Sequence, residues 1–468
     1  MNPQERAECL MKNGGRYKDG RDSIVYYGGD FYEALGTHWV KIDPKLMRRK
    51  MYELDVSATP FQVEQAMSVL ADKLCIGPGM PQDLGGNVPE DVENLLPLQN
   101  GLLHVPSLSL YAPDLDLFTT YCLPYEYDPD ARSPLRWLKF LDELWPGDAE
   151  SKLLLQQWMG YLLLPDTSFE KILLLYGPKR SGKGTIIKTI TEMLGKHNVV
   201  AATLQSLSGS FGLAPLIGKP LCAISDARLD RRTSAAGVQA LLNISGTDLC
   251  SINIKHKDAV SIELPTRVMM ATNELPSFND PSGSLAGRFL VLRLVHSFDG
   301  KEDRHLRRKL EAELPGILNW ALRGYFKLQR DDAFVEPKAG LELVDQLATL
   351  GSPVRRFLDD DCDVGPAHEV ECGRLAMAYK NWCDSKNERH FGDAQFGKDL
   401  AAAVPALKRH RPRNEKGDQH YHYFGVGLKS ERLARERAAG VVARQAVTNT
   451  AVPLESPLAQ RLRESKAE

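Results

Sequence analysis

The stretch LLLYGPKRSGKGTIIKTI, residues 173–190, carries the strongest structural signal in the sequence. Its three leucines predict a buried strand, a glycine-containing turn follows, and an apolar-periodic segment then predicts a helix. A phosphate-binding loop needs glycines, so that consecutive backbone N–H groups point inward, and a lysine that reaches the outer phosphates. Gly177, Gly182 and Lys183 meet these needs. The sequence therefore predicts a nucleotide-binding loop whose helix directs its N-terminus at the phosphates.

The residue after Lys183 is Gly184, where the usual form of this motif has a Ser or Thr that binds Mg²⁺. We predict that Mg²⁺ instead relies on phosphate oxygens, water and Asp226, while the hydroxyl of Thr185 bonds an inner phosphate. A direct bond from Thr185 to the metal is the alternative. The predicted nucleotide-binding residues are Gly177, Pro178, Lys179, Arg180, Ser181, Gly182, Lys183, Gly184 and Thr185.

Composition sets the broad class of the chain. A length of 468 residues predicts about two to four domains. A net charge of -2 means that any surface for nucleic acid is a local patch. The eight cysteines form no C-x-x-C pair, which argues against structural zinc and a disulfide framework. Without a signal-like apolar segment or a run of ~20 apolar residues, the protein is expected to be cytoplasmic and to bind no membrane.

Short apolar strands alternate with helical patterns between residues 166 and 300, which predicts an α/β domain with a mostly parallel sheet. Residues 1–165 predict an α+β leader domain, and residues 301–350 a helical connector. Residues 351–428 predict a compact domain with two helical patterns and a basic hairpin. The remaining residues, 429–468, are polar and rich in Arg, Ala and Glu, which is typical of a flexible tail.

Three polar residues adjoin apolar strands after the loop. Asp226 ends LCAISD, and a carboxylate there can hold Mg²⁺ or help polarise water. Asn273 ends VMMATN, and its amide can orient water or sense the γ-phosphate. Arg288 precedes FLVLRL and can reach a neighbouring subunit's nucleotide as an arginine finger. The alternatives are a solvated aspartate, a turn asparagine and a surface arginine.

The order and spacing of these motifs resemble the superfamily 3 helicases. The shared set comprises the loop at 177–183, Asp226, a glycine-to-lysine segment at 246–255, Thr-Asn-Glu-Leu-Pro at 272–276, and Arg-Phe at 288–289. Within that superfamily, the chain resembles the phage and plasmid primase-helicase family with its poxvirus relatives. The resemblance covers most of the chain. Residues 97–165 resemble the family's leader domain, and residues 371–428 resemble its C-terminal winged helix.

The resemblance implies a P-loop, AAA+-like ATPase core and an ATP-dependent DNA helicase that uses ATP and Mg²⁺. The implied catalytic residues are Lys183, Asp226, Asn273 and Arg288. An arginine that acts across a subunit boundary implies a closed ring, and the family forms hexamers, so a homo-hexamer on single-stranded or forked DNA is expected.

Two basic segments are candidates for contact with DNA. Lys255 and Lys257 lie in a predicted hairpin between residues 252 and 260, whose tip can grip successive phosphates inside a ring. The second segment is a basic run in the C-terminal domain, and its predicted DNA-binding residues are Arg409, Arg411 and Arg413. For both segments, solvated hairpin charge is the alternative.

About twenty residues precede the first predicted strands, whereas many family members carry a primase domain there. We therefore expect a separate primase or origin-binding factor. Two other functions stay open. The ending GPKRSGKGT also resembles adenylate kinases, which leaves a nucleoside-phosphate kinase, and an ATP-driven switch or loader that translocates little fits the same motifs.

Overall fold

The computed structural model describes residues 1–13, 23–77, 79–86, 88, 91–225, 235–255, 259–278, 280, 283–388, 390, 392–411 and 420–432. The chain contains two compact units, Met1–Gly351 and Ser352–Glu468. Three of the predicted site residues, Asp226, Lys257 and Arg413, lie outside the described residues.

The first unit opens with small sheets and helices around aromatic and aliphatic cores. Two of its helices begin with a side-chain cap: Asp43 accepts from the backbone N–H of Lys45, and Thr59 forms a capping box with Gln62. Trp39 is buried against Phe118. The helices are α1 Pro3–Asn13, α2 Pro44–Leu54 and α3 Pro60–Leu74, and the strands are β1 Ile24–Tyr27, β2 Asp30–Ala34, β3 Trp39–Lys41, β4 Gln82–Asp83, β5 Leu95–Leu98, β6 Gly101–His104, β7 Ser109–Tyr111 and β8 Leu117–Phe118.

A parallel sheet follows in the same unit and confirms the predicted α/β core. Its described strands are β9 Ile172–Tyr176, β10 Val199–Ala201, β11 Leu221–Ile224, β14 Arg267–Thr272 and β15 Phe289–Arg293, in the order β10-β11-β14-β9-β15. Strand β9 pairs in parallel with β14 on one side and β15 on the other. The loop after β9 therefore lies between the ends of two neighbouring strands. A separate antiparallel hairpin consists of β12 Cys250–Ile252 and β13 Val260–Ile262.

Helices cover both faces of this sheet, which is why β9 is an uninterrupted apolar run. Leu173 and Leu175 pack into one buried cluster, and Ile172 and Leu174 pack into another on the opposite face. The helices of this region are α4 Leu135–Leu144, α5 Ala149–Tyr161, α6 Lys183–Leu194, α7 Leu204–Leu207, α8 Ala235–Ser245, α9 Leu306–Glu311, α10 Leu314–Asp331 and α11 Lys338–Gly351.

Helices α5 and α10 approach closely through a glycine on each. A Cβ on Gly324 would collide with the backbone carbonyl oxygen of Gln156, and a Cβ on Gly160 would collide with the backbone nitrogen of Tyr325. Backbone atoms cannot rotate away as a flexible side chain can. The two helices therefore depend on small residues at this crossing.

We expect Gly324→Ala to lower the free energy of unfolding by about 1–3 kcal/mol, because the added methyl must push the helices apart. Gly77→Ala is the matched control, since a Cβ there meets nothing within 4 Å. Thermal unfolding followed by circular dichroism measures both. Equal midpoints for the two variants would contradict the close approach of α5 and α10.

The second unit has its own core. Its elements are α12 Pro353–Asp361, β16 Cys362–Glu371, α13 Cys372–Ser385, α14 Asp393–Ala403, β17 Lys408–His410 and β18 His422–Leu428, with the sheet order β16-β18-β17. Within the core, Phe357 contacts Tyr379 and Phe396 edge-on, and the last two rings stack with their centroids 4.5 Å apart. The two predicted helical patterns are present as α13 and α14, and β17 and β18 are the paired strands of the predicted basic hairpin, whose connecting residues lie outside the described ones. The winged-helix assignment stays a prediction.

The longest helix among the described residues is α10, which has 18 residues and carries the charged side chains of Arg323, Lys327, Arg330 and Asp331. Across the same described residues, none of the helices is both long enough and apolar enough to cross a bilayer.

Candidate functional site

The loop from Gly177 to Gly182 connects β9 to α6, as the sequence predicts. Both terminal glycines are required by their surroundings. A Cβ on Gly177 would collide with the carbonyl oxygen of Leu294, just beyond β15. Gly182 has φ 94°, a conformation that favours glycine, and its Cβ would lie 2.7 Å from Leu144 Cδ2. Packing against neighbouring elements thus fixes the loop at both ends.

The ammonium group of Lys183 lies inside this loop. It donates to the carbonyl oxygens of Gly177 and Pro178, each at 2.7 Å, and lies 3.2 Å from Ser181 Oγ. It also donates to Asn273 Oδ1 at 3.0 Å. Partial burial lowers the pKa of Lys183. The structure therefore brings together two of the predicted catalytic residues, Lys183 from the loop and Asn273 from the tip of β14.

The first turn of α6 leaves room beside the loop. A Cβ on Gly184 would meet nothing within 4 Å, so packing does not require glycine at this position. Thr185 is half-buried, and its backbone N–H donates to Gly182 O at 2.9 Å. Among the described residues, no group of three or more His, Cys, Asp or Glu side chains is arranged to hold a metal. Of the residues predicted to bind Mg²⁺, the structure describes Thr185.

Arg180, which the sequence predicts to contact nucleotide, is held by carboxylates. Its guanidinium lies 2.6 Å from Asp299 Oδ1 and also pairs with Glu302. Its φ of 57° is unusual for a residue with a Cβ. The carbonyl of Arg180 accepts from the N–H of Phe298 at 2.9 Å. These contacts fasten the outer side of the loop to the segment after β15.

A cavity of about 750 Å³ opens next to the loop. Its walls come from α4, α6, α9 and residues 298–304, and they include Gly184 and Thr185 beside the aromatic rings of Phe140 and Phe298. This volume lies within the ordinary range for small-molecule sites. Glu313 helps to position one wall, since its carboxylate accepts from the backbone N–H groups of Arg136 and Trp137 in the first turn of α4.

Arg288 and the loop lie at opposite ends of the parallel strands. In the parallel register, Phe289 pairs with Ile172 and Arg293 pairs with Tyr176, so Arg288 is at the amino end of β15. Strand β9 is five residues long, so the two ends of the strands are roughly 16 Å apart. The guanidinium donates to Leu242 O and Ser245 Oγ, both at 2.8 Å. An ion pair with Glu170, at 3.0 Å, completes its contacts.

Two family models match the chain. One is a family of unknown function, DUF5906, which matches residues 175–288. The other is described as D5 N terminal like and matches residues 63–146. The first match therefore spans the loop, Asn273 and Arg288, and the second lies in the predicted leader domain.

Solved structures of the C-terminal region of NrS-1 have a similar fold. Its apo structure, covering residues 305–718, is 12% identical, with a TM-score of 0.51 over 91% of this chain and 99% of that chain. Another form of the same region gives 12% identity and a TM-score of 0.50, over 91% of this chain and 100% of that one. At this identity the likeness shows the fold. The D5 N-terminal-like match supports the resemblance to phage primase-helicase-like proteins.

The predicted hairpin is present in the register that the sequence indicates. Cys250 pairs with Ile262, and Ile252 pairs with Val260. The side chains of Ile252 and Ile262 are buried and anchor the hairpin to the core. Lys255 is exposed in the turn segment. The hairpin thus presents at least one lysine at its end.

In the second unit, the basic strand β17 is an exposed edge of its sheet. Lys408, Arg409 and His410 are all exposed on it, and Arg411 follows directly. The strand pairs with β18, so the described residues include two of the three arginines that the sequence predicts to bind DNA.

Sequence reasoning missed most of the cavity beside the loop. Lys188, Lys301 and Arg304 line it, and in the part of the chain that the structure describes they make no ion pair. The sequence could have indicated Lys188 as part of the site, since it lies three residues after Thr185 on the same helix face. It could not have indicated residues 298–304, because they are more than a hundred positions from the loop in sequence.

Proposed function

We propose that this protein is an ATP-dependent DNA helicase of superfamily 3. It acts as a homo-hexameric ring on single-stranded or forked DNA during replication of a phage, plasmid or other mobile element. The observation that carries the proposal is the 3.0 Å contact between Lys183, at the start of α6, and Asn273, at the tip of β14, the strand next to β9. That arrangement supplies a cation for the outer phosphates and an amide for the attacking water side by side.

ATP fits the residues present. The loop can give up the carbonyl contacts of Lys183 in exchange for phosphate oxygens, which are stronger partners for an ammonium group. The base and ribose occupy the cavity beside Gly184 and Thr185, where Phe140 and Phe298 provide apolar surface. Bound Mg²⁺ neutralises charge on the phosphates. Asp226 and phosphate oxygens would hold it, and the Thr185 hydroxyl would bond an inner phosphate.

Hydrolysis in this proposal needs two subunits. Asn273 orients the attacking water within one subunit, and Arg288 of the neighbouring subunit stabilises the charge that develops on the phosphates. The position of Arg288 at the far edge of its own sheet supports this division, because a trans-acting residue must face away from its own loop. Such head-to-tail contacts close into a ring.

DNA contacts come from both units. Lys255 and Lys257 grip one strand within the ring, and Arg409, Arg411 and Arg413 bind the DNA backbone outside the ATPase core.

The deciding experiment measures ATP hydrolysis with and without single-stranded DNA, unwinding of a forked duplex, and particle mass on the same sample. We expect DNA-stimulated hydrolysis, unwinding that requires ATP, and a hexamer. ADP production that depends on AMP and not on DNA would instead identify a nucleoside-phosphate kinase. Hydrolysis that ignores single-stranded DNA, with no unwinding, would identify a switch or loader.

We expect Lys255→Ala to stop strand separation while hydrolysis in the absence of DNA stays close to wild type. The substitution deletes a contact to a DNA phosphate and no contact to ATP. Each lost phosphate contact lowers the slope of log binding constant against log salt concentration, here called the salt slope, by about 0.7 for a single strand. Each subunit that engages DNA contributes up to one such contact. Lys257→Ala should have a milder effect. A Lys255→Ala protein that unwinds a forked substrate at the wild-type rate removes the hairpin from the mechanism.

A further inference from the structure

The ring of Tyr421 contacts two cationic side chains on the basic edge of the second unit. The guanidinium carbon of Arg409 lies 4.2 Å from the ring centroid, and that of Arg411 lies 5.3 Å from the same centroid. Both distances are within the range of a cation–π interaction. One aromatic ring therefore holds two like charges close together, although they repel each other.

Strand pairing explains why these three residues meet. Arg409 pairs with Tyr423 and His410 pairs with His422, so the same antiparallel register sets Arg411 opposite Tyr421. Arg409 and Arg411 are two residues apart and share one face of the strand. Tyr421 nevertheless remains 46% exposed, which leaves this group open to a ligand.

Two carboxylates of β16 lie on the other side of β18 from this group. Glu369 lies 2.8 Å from His422, and Glu371 lies 3.4 Å from His420. Both acids are therefore paired with histidines on or beside the central strand. The exposed edge carries three basic side chains, Lys408, Arg409 and Arg411, and such a cluster suits an anionic chain.

We propose that Tyr421 is a positioning residue, whose ring holds the guanidinium groups of Arg409 and Arg411 as a pair that binds phosphates of one DNA strand. The inference rests on the proposed function, because the ligand is the DNA on which the helicase acts. A guanidinium group binds phosphate through two parallel hydrogen bonds and can keep one face on an aromatic ring while it does so. Ordering the two side chains before binding reduces the entropy that binding must overcome.

The test measures binding of a fluorescent forked DNA to the full chain by anisotropy, without nucleotide and at several salt concentrations. Tyr421→Leu should weaken binding by about three- to tenfold, because the π face is lost. Tyr421→Phe should bind like wild type, because it keeps the ring. Tyr421→Leu should leave the salt slope nearly unchanged, whereas Arg409→Ala should lower it by about 0.7–0.9, since that variant removes a phosphate contact.

A second background separates positioning from other roles. In a chain that carries both Arg409→Ala and Arg411→Ala, Tyr421→Leu should have no further effect on binding. If Tyr421→Leu weakens binding as much there as in wild type, then the ring contacts DNA itself or supports the fold, and the proposal fails. Wild-type binding by Tyr421→Leu in the native background also overturns it. The binding assay contains no nucleotide, so its outcome does not depend on ATP hydrolysis. A failure of the proposed helicase function would appear in the unwinding assay instead.

Discussion

Arg288→Ala is expected to lower the rate of ATP hydrolysis about 10³-fold, the effect typical of removing an arginine finger. In the proposed mechanism the substitution removes a guanidinium that stabilises charge on the phosphates of a neighbouring subunit. Arg288 lies at the amino end of β15, a strand length from the loop of its own subunit. There the guanidinium contacts the end of α8 and Glu170. Steady-state hydrolysis over a range of protein concentrations measures the loss, and nucleotide affinity should change little.

Mixing two inactive proteins tests whether Arg288 acts across a subunit boundary. Rings that combine Arg288→Ala with Lys183→Ala contain interfaces at which an intact loop faces an intact arginine. Those interfaces should recover part of the wild-type rate. If rings shown by mass to be mixed recover no activity, Arg288 either lies outside the site or acts on the nucleotide of its own subunit.

The contacts of Arg288 within its own subunit require a control. Ser245→Ala removes a hydroxyl that lies 2.8 Å from the guanidinium, and Glu170→Gln weakens the ion pair while leaving the arginine in place. If Arg288 only braces α8, these variants should lose activity in parallel with Arg288→Ala. We expect them to keep most of it, with thermal midpoints lowered by a few degrees at most.

Local patterns in the sequence were sufficient for the central elements of the site. The apolar run before Gly177 can be a strand buried on both faces, and the pattern from Lys183 onward can form one helix, so the loop between them follows. The hairpin at Lys255 was equally predictable, because apolar residues at 252 and 260 flank a polar turn. In each case the information lies within about ten neighbouring residues.

The rest of the site depends on contacts between distant segments. Arg180 carries the same charge whether it faces a phosphate or the carboxylates of Asp299 and Glu302, and the sequence alone does not distinguish these environments. Likewise, Phe140 and Phe298 become one wall only when α4 and the segment after β15 meet. Tertiary packing determines both, and no local period encodes it.

Lys183→Ala is expected to reduce ATP hydrolysis to below about 1% of the wild-type rate, because the Lys183 ammonium group lies inside the loop, where it can reach the outer phosphates. The structure also predicts the cost to stability. The ammonium satisfies the carbonyl oxygens of Gly177 and Pro178, and both become available to water once the side chain is truncated. Since the loop is partly exposed, the loss should be only about 1 kcal/mol.

Asn273→Ala is the informative comparison, since Asn273 shares a contact with Lys183 but carries no charge. Its amide acts on the water in the proposed mechanism, so this variant should bind ATP nearly as well as wild type while losing hydrolysis. Lys183→Ala should lose both, because its charge contacts the outer phosphates before and during the reaction. Calorimetric titration with a non-hydrolysable ATP analogue separates the two outcomes. If Lys183→Ala bound the analogue with wild-type affinity, the lysine would not lie on the phosphates, and the assignment of this loop as the ATP site would be wrong.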